Sequence, residues 1–343
     1  MRKFTEAEMQ LLIAIGWLAS RYGLMAGIKA NSKSTTKNLR EFGKIWFGKY
    51  LVNWSEAYQS LITENYLSKT DGIFALTEKG KLAREVIEAD NPLWLYEYNN
   101  FFSRAVKSSA HALFCEKVYG KNLCQHGLAD VFQLNKLLEV LKLNANHSVL
   151  DLGCGNGFIT EHLQNQTGAF FQGIDISEEA IKQARKRTAE KNKRLAFRVG
   201  NMNRLNFEPT TFDCIISIDT LYYVDDLEET LKQTIPILKP FGQMGIFYTQ
   251  WVNRLEDKEN LLPENTALAI LLKKHGLKFS ALDLTENEAE HWRKKVGILE
   301  ELKPQFEKEG NLDLYNYRLS EAVRYANWDL GKRSRYLYHI QLT

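Results

Sequence analysis

The sequence predicts an α/β protein in which a parallel sheet carries helices on both faces. Three observations predict this class. An apolar run ends in the acid Asp151, and glycines then follow at 153, 155 and 157, as expected where a buried strand turns sharply into a helix. Strand-like and helix-like segments then alternate along the chain. With 44% hydrophobic and 25% charged residues among 343, the composition is that of a globular protein with a sizeable core.

The N-terminal part predicts a separate, mainly helical domain over 1–90. Thr5 followed by Glu8 is the pattern of a capping box at the start of a helix. The turn Thr70-Asp71-Gly72 between two short apolar runs predicts a hairpin. Helices are predicted over 5–28, near 33–45, near 53–66 and from 77 onward. This order resembles a winged-helix module, and Asn91-Pro92 predicts its boundary.

The rest of the chain is expected to form a helical linker over 91–146 and an α/β domain over 147–343. This domain is expected to contain a helical insert over about 251–332. Strands are predicted near 148–152, 169–175, 195–200, 213–218, 243–249, 277–282 and 336–340. Helices are predicted near 157–166, 177–192, 226–238, 264–275, 286–308 and 312–330. We expect the last strand to lie mostly at the edge of the sheet.

The glycine spacing at 149–157, Val-Leu-Asp-Leu-Gly-Cys-Gly-Asn-Gly, distinguishes between two kinds of cofactor site. A dinucleotide fingerprint needs glycine at 158, which is Phe158 here. The pattern instead resembles motif I of the class I S-adenosylmethionine (SAM) methyltransferases, which have a Rossmann-like sheet of seven strands. The resemblance implies that this turn holds the methionine end of SAM through Asp151, Gly153, Cys154, Gly155 and Gly157.

Two further strand ends fit the same family. Asp175 closes the second strand, where an acid can accept hydrogen bonds from both hydroxyls of a ribose; the alternative is that it only starts the next helix. By the resemblance, Asp175 and Ile176 bind the ribose. Asn201 and Met202 follow the third strand and are expected at the adenine, with Asn201 in the place where many family members have an acid.

The fourth strand resembles motif IV and ends at Ile218-Asp219. We expect both residues near the sulfonium, and Asp219, His126 and Tyr222 as candidate catalytic residues. Asp219 could hold a cationic amine, and His126 could act as a general base. The alternatives are a capping role for Asp219 and a structural role for the histidine. Ahead of the core, Gln125-His126-Gly127 resembles the pre-core segment of small-molecule methyltransferases. The resemblance implies that the linker over 91–146 also forms a cofactor lid over SAM, with Tyr119 and Gln125 as its candidate residues.

These features predict transfer of a methyl group from SAM to a nitrogen or oxygen of a small-molecule acceptor, with S-adenosylhomocysteine (SAH) as product. Such an in-line displacement depends mostly on proximity and orientation. No metal site is expected, because the cysteines and histidines lack ligand spacing. Two alternatives remain open: a nucleic-acid methyltransferase and a SAM-sensing winged-helix regulator.

The charge pattern disfavours a nucleic-acid partner. Lysines and an arginine cluster between residues 29 and 49, interleaved with aromatic residues, but residues 1–90 hold only 13 basic against 10 acidic side chains. The whole chain has a formal net charge of +3, too small to argue for nucleic acid or a membrane. The apolar run at 11–19 is too short to span a bilayer. Four cysteines without a C-x-x-C pair favour a reducing, cytoplasmic location. In several small-molecule methyltransferases a winged-helix-like domain dimerises or caps the substrate pocket. The family resemblance therefore implies one of these roles for residues 1–90, and a homodimer through this domain is a further expectation.

Overall fold

A computed structural model describes the chain in two compact units. The units are Met1–Phe101 and Phe102–Thr343, and each is described by itself. The described residues are 2–21, 28–29, 54–70, 73–90, 93–191, 193–252, 255–327 and 330–342. No helix within those ranges is long and apolar enough to cross a membrane.

The N-terminal unit combines helices with a small antiparallel sheet. Its elements are α1 (Glu6–Arg21), β1 (Ile28–Lys29), α2 (Trp54–Thr63), β2 (Leu67–Thr70), β3 (Ile73–Leu76) and α3 (Glu78–Asp90), with strand order β1-β3-β2. The predicted capping box is confirmed, since Thr5 N donates to Glu8 Oε2 at 2.8 Å and Glu8 N donates to Thr5 Oγ1 at 3.3 Å. The predicted helix near 33–45, the turn at 71–72 and the boundary at Asn91-Pro92 lie outside the described residues.

Three helices lead into the α/β domain: α4 (Leu93–Ala105), α5 (Ser109–Tyr119) and α6 (Val131–Leu141). Ser108 caps α5 by accepting from His111 N, and Gly120 ends it in the left-handed region at φ 80°. Asp130 caps α6 in the same way, through Gln133 N. The connection between α5 and α6 has no regular structure, so Gln125 and His126 lie on a loop.

The seven-stranded sheet of the α/β domain confirms the predicted fold class. Its strands are β4 (Ser148–Leu152), β5 (Phe170–Asp175), β6 (Leu195–Val199), β7 (Phe212–Ile218), β8 (Leu238–Trp251), β9 (Lys278–Asp283) and β10 (Arg333–Gln341). The order is β6-β5-β4-β7-β8-β10-β9. The first five of these strands are parallel, and β10 is antiparallel to both of its neighbours.

The expectation that the last strand lies at the sheet edge is wrong. The strand β10 lies between β8 and β9, and β9 forms the outer edge of the sheet. The pairing runs from Tyr336 opposite Asp283 to Gln341 opposite Lys278. As a consequence, β10 is buried along most of its length, whereas β9 is largely exposed. The side chains of β10 therefore reach the interior of the domain.

Helices cover both faces of this sheet. They are α7 (Phe158–Thr167), α8 (Glu178–Arg187), α9 (Leu227–Thr234), α10 (Ala267–Lys274), α11 (Thr285–Lys308) and α12 (Leu312–Ala326). Successive strand residues belong to two different apolar cores, one on each face of the sheet. Val149, Ile216 and Phe247 belong to one core, and Leu150 and Ile215 belong to the other. This alternation is what a sheet covered on both faces requires.

Most predicted elements match within a few residues, and the largest differences are at the ends of two helices and at the start of one strand. The helix α8 ends at Arg187 and α9 at Thr234, earlier than predicted, whereas β8 starts at Leu238, five residues early. The parallel strands β4, β5 and β7 end at Leu152, Asp175 and Ile218. Their carboxyl ends lie at one edge of the sheet, which is where the candidate site is expected.

A substitution at Gly245 in β8 tests how tightly α6 packs on this sheet. A Cβ atom at Gly245 would lie 2.5 Å from Leu137 Cδ1 and 3.0 Å from Leu141 Cδ1, and both leucines are buried. We expect Gly245→Ala to lower the free energy of unfolding by about 1–3 kcal/mol through overpacking, measured by urea denaturation. The matched control is Gly297→Ala in α11, where a Cβ meets nothing within 4 Å. It should raise stability by about 0.5–1 kcal/mol. Equal effects of both substitutions would contradict this packing.

Candidate active site

The glycine-rich turn between β4 and α7 forms one wall of the candidate site. Gly153, Gly155 and Gly157 have φ angles of 76°, 55° and 74°, the left-handed region that glycine adopts without strain. The backbone N–H groups of Gly153 and Cys154 both donate to Ile174 O at 2.9 Å. The turn is thus tied to the end of β5, beside Asp175.

Close neighbours explain why two of these positions tolerate no side chain. A Cβ at Gly153 would lie 2.5 Å from Thr220 Cγ2, and one at Gly157 would lie 2.5 Å from the ring of Phe197. The Thr220 side chain is held there because its hydroxyl donates to Leu152 O at 2.7 Å. The end of β7 therefore packs directly on the turn after β4.

Gly155 lies beneath the ring of Phe102, a residue of the helix α4. A Cβ at Gly155 would lie 2.9 Å from Cζ of Phe102, which belongs to the same compact unit. The backbone of Gly153, Cys154 and Gly155 is half-buried, so the turn presents backbone at the carboxyl edge of the sheet. A side chain at Gly155 would occupy that space.

Asp175 has the geometry of a ribose-binding acid. Its Oδ2 accepts from Gly155 N and its Oδ1 accepts from Ser177 N, each at 2.8 Å. Each carboxylate oxygen therefore keeps acceptor capacity for one more donor, which is what two neighbouring hydroxyl groups need. The side chain is half-buried, and burial raises the pKa of its carboxyl above the usual value. The residues present thus fit the ribose of SAM.

Other residues predicted from motif I and the β5 end have mixed surroundings. Asp151 is buried within β4 and accepts from Thr160 Oγ1 at 2.6 Å, and burial raises its carboxyl pKa to about 7. This hydrogen bond holds α7 against β4, so Asp151 stabilises the two elements that the turn connects. The Cys154 thiol points to Gly155 O at 3.6 Å, and burial raises its pKa. Ile176 follows Asp175 directly and is half-buried.

Asn201 and Met202 lie after β6, as predicted. The Asn201 side chain folds onto its own turn, with Oδ1 accepting from Asn203 N at 2.9 Å. One further lone pair of that oxygen stays available to a ligand. Met202 is half-buried and packs against the core cluster that includes Ile174. Their roles at the adenine remain a prediction.

The Asp219 carboxylate is held inside the protein by an arginine that the sequence interpretation did not single out. Arg335 in β10 forms an ion pair with it, through Nη1 to Oδ1 and through Nη2 to Oδ2, the latter at 3.1 Å. Leu128 N donates to Asp219 Oδ2 at 2.8 Å. Asp219 adopts a left-handed φ of 60° directly after β7. These contacts favour a positioning role for Asp219 over direct capture of a cationic amine.

Arg335 extends this ion pair into the neighbouring elements. Its side chain is fully buried, and it donates to Thr249 Oγ1 of β8 at 3.2 Å and to Gln133 Oε1 of α6 at 3.1 Å. Gln133 in turn donates to Asn287 Oδ1 of α11. One guanidinium therefore connects the end of β7 with the sheet and with two helices above it. The central residue of this network comes from the last strand, which makes that strand part of the site.

The predicted lid residues are buried and have partners within the protein. The Tyr119 hydroxyl donates to Gly127 O at 2.9 Å and accepts from Arg318 Nη2 at 2.8 Å. Gln125 closes its own loop, since it accepts from Leu123 N at 2.9 Å and donates to Lys121 O at 3.1 Å. Gln125 thus shapes the loop that carries Gly127. Contact of these two residues with SAM remains a prediction.

The two other candidate catalytic residues differ in their surroundings. His126 Nε2 lies 2.6 Å from Tyr317 Oη of α12, and burial, followed by Arg318, holds the imidazole pKa well below its usual value. A neutral imidazole with so low a pKa is a weak general base. Tyr222 lies in a short 3₁₀ helix after Asp219, with its ring centroid 5.9 Å from that of Trp251. Burial, followed by Asp219, raises the phenol pKa.

Three buried polar residues of α11 were missed in the sequence: Glu288, His291 and Lys295. They share one stripe of the helix with Leu299 and Phe306, and all five are buried. The helical period places these positions on one face, so the sequence did contain a signal. Polar residues on an otherwise apolar stripe predict a buried polar site.

Comparisons with known proteins agree with this geometry. A family model described as a methyltransferase domain matches residues 143–310. The structure of Haemonchus contortus phosphoethanolamine N-methyltransferase 2 in complex with SAM superposes with a TM-score of 0.58 at 19% identity, over 72% of this chain and 60% of that one. At that identity the likeness shows the shared fold.

Two curated relatives match shorter stretches. The 27-O-demethylrifamycin SV methyltransferase of Amycolatopsis mediterranei (strain S699) is 26% identical over 149 residues, covering 40% of this chain and 54% of that protein. The human mitochondrial arginine-hydroxylase NDUFAF5 is 40% identical over 94 residues, covering 27% of this chain and 26% of that protein. The chain thus spans about half of the first relative and about a quarter of the second. Together with the glycine turn and Asp175, the domain match shows that the chain belongs to the class I SAM-dependent methyltransferases and that its cofactor is SAM.

Proposed function

We propose that this protein transfers the methyl group of SAM to a nitrogen or oxygen atom of a small-molecule acceptor. The observation that carries the proposal is the pairing of a left-handed glycine turn with the carboxylate of Asp175, which keeps acceptor capacity on both oxygens. Bound there, SAM supplies an electrophilic methyl group on a sulfonium. The named activity of the Amycolatopsis relative is consistent with such a reaction.

Each strand end contacts a different part of SAM. In our proposal the turn at 153–157 holds the amino-acid end of SAM, and Asp175 with Ile176 holds the ribose. Asn201 accepts from the adenine amino group, and Met202 packs on the adenine ring, as a thioether commonly does against an aromatic group. Ile218 and Asp219 lie beside the reacting centre.

The acceptor side depends on positioning rather than on covalent chemistry. The ion pair of Asp219 with Arg335 fixes the backbone after β7, and Tyr222 with Trp251 forms an aromatic wall beside it. Burial at such a site excludes water and aligns the acceptor with the methyl group. His126 is assigned to shaping the acceptor side through Tyr317. Tyr119 and Gln125 are assigned to the structure of the lid.

The N-terminal unit is assigned a supporting role. We propose that its helices and three-stranded sheet form a winged-helix-like domain that mediates homodimerisation or caps the acceptor site. Support comes from the element order and from the weak net charge of this region. All four cysteines are free, consistent with a reducing, cytoplasmic location.

Asp175 gives a direct test of the cofactor site. We expect Asp175→Asn to weaken SAH binding by about 1–3 kcal/mol, because a hydrogen bond to a charged group is lost, measured by calorimetry. Asp213→Asn is the matched control, since its carboxylate also accepts a backbone N–H, from Ser148 at 2.7 Å, but at the start of β7. The control should change stability and leave SAH affinity as it is. Equal SAH affinity in Asp175→Asn and the unmodified protein would remove Asp175 from the cofactor site.

A product assay tests the proposed reaction. SAH release from SAM is measured with panels of small amines, phenols and carboxylates, and separately with duplex DNA and with RNA. We expect methylation of a small molecule and no methylation of nucleic acid. Methyl transfer to DNA or RNA, with salt-sensitive binding in a gel shift, would contradict the proposal. SAM binding without transfer to any member of the panels would instead favour a SAM-sensing regulator.

A further inference from the structure

Within the α/β domain, the polar stripe of α11 contains buried groups that lack partners. Lys295 is 1% exposed, His291 4% and Glu288 3%. In the described part of the chain, Lys295 Nζ, both ring nitrogens of His291 and Glu288 Oε2 have no hydrogen-bond partner. Buried polar groups are nearly always paired, because burying an unpaired one costs free energy. Glu288 accepts through its other oxygen from Trp292 Nε1 at 3.0 Å, and His291 Nε2 lies 3.9 Å from Asp130 Oδ2. The Lys295 ammonium is therefore the strongest indication of a ligand on this helix face.

The groups in direct contact with the Lys295 ammonium are aromatic rings. Its Nζ lies 3.8 Å from the ring centroid of Trp292 and 5.3 Å from that of Tyr119. The ring of His291 lies 4.8 Å from that of Tyr119. Cation–π contact stabilises the ammonium group, but it supplies no hydrogen-bond acceptor for the three N–H groups. The Lys295 ammonium therefore packs against aromatic rings and has no anion hydrogen-bonded to it.

The charge balance points to a missing negative group. Each buried arginine nearby has a carboxylate within 4 Å: Arg335 has Asp219, Arg333 has Glu288 at 3.8 Å, and Arg318 has Glu321 at 3.4 Å. Among the described residues, Lys295 Nζ has no hydrogen-bond partner, and Glu321, Asp219 and Glu288 act on it through their charge without a hydrogen bond. A buried cation without a paired anion costs free energy, and an anionic ligand hydrogen-bonded to Lys295 would offset this cost.

The stripe lies next to the candidate reacting centre. Tyr119, which contacts both Lys295 and His291, donates to Gly127 O. A Cβ at Gly127 would lie only 2.8 Å from Asp219 Oδ2, so this loop separates the stripe from the end of β7 by a single layer of backbone. A molecule that contacts Lys295 is therefore placed on the acceptor side of the site.

We propose that the acceptor carries an anionic group, a carboxylate or a phosphate, and that Lys295 and His291 bind it. This inference rests on the proposed methyl transfer and specifies its acceptor class. Lys295 supplies three N–H donors and the positive charge. His291 supplies one further N–H as a neutral imidazole. Trp292 and Tyr119 hold the Lys295 ammonium in place through their rings.

The protonation states of these groups support this assignment. Burial, followed by Arg318, lowers the pKa of Lys295 to about 7. Burial, followed by Lys295, lowers the pKa of His291 to about 2, so this imidazole is neutral. The charged groups that face Lys295 are Arg318 and Glu321 of α12, Glu288 of α11 and Asp219 after β7. A bound anion would favour the charged form of Lys295.

The test compares charged and neutral probes of the same shape. Benzoate, phenyl phosphate and neutral benzamide are titrated by calorimetry into the full chain saturated with SAH, at about pH 6, where Lys295 is protonated. We expect benzoate or phenyl phosphate to bind at least about tenfold more tightly than benzamide, which is ~1.4 kcal/mol. The stronger of the two anions identifies a carboxylate or a phosphate site.

Two lysine variants separate this role from a structural one. Lys295→Met should abolish the preference for the anions, whereas Lys294→Met, at the exposed neighbouring position, should keep it. Lys295→Gln replaces the methionine variant if that protein does not fold, and retained SAH affinity shows that each variant is folded. In the unmodified protein, benzoate affinity should fall between about pH 6 and pH 8.5 as Lys295 loses its proton. In Lys295→Met, benzoate affinity should not change with pH.

Two outcomes would overturn the inference: equal binding of benzoate and benzamide by the unmodified protein, or unchanged benzoate binding in the Lys295 variant. In both cases, intact SAH binding would leave the proposed methyl transfer standing. Absence of SAH binding in the unmodified protein would remove the proposed function, and this inference with it.

Discussion

The buried ion pair between Asp219 and Arg335 is the constraint on which the rest of the site depends. A buried arginine needs a carboxylate and further acceptors, and this one finds them after β7, on β8 and on α6. The pair therefore aligns the fourth strand, the last strand and the helical layer above them. Because Thr220 follows Asp219 and packs on Gly153, the same constraint reaches the cofactor turn.

Local features of the fold and of the cofactor side could be predicted from the sequence. The three alternate glycines, the acid at the end of β5 and the alternating strands depend on neighbouring residues, whose pattern is visible along the chain. Their positions agree with the structure. Asp175 illustrates why: its two backbone partners, Gly155 and Ser177, lie within 20 residues of it.

The acceptor side depends on contacts between distant residues, which no local pattern shows. Arg335 is 116 residues from Asp219 and 202 from Gln133. The last strand was expected at the sheet edge because nothing in its own sequence reveals that β9 pairs outside it. The stripe with His291 and Lys295 was detectable by helical period, but its meaning depends on which carboxylates lie nearby, and this requires the tertiary structure.

A double-mutant cycle on Asp219 and Arg335 tests the central claim most directly. The free energy of unfolding and the SAH dissociation constant are measured for Asp219→Asn, Arg335→Met and the double variant. The account predicts that each single change costs about 3–5 kcal/mol, because it leaves a buried charge unpaired. The double variant should lose less than the sum by about 1–3 kcal/mol, and SAH affinity should fall in both single variants. Additive losses in stability with unchanged SAH affinity would contradict the account.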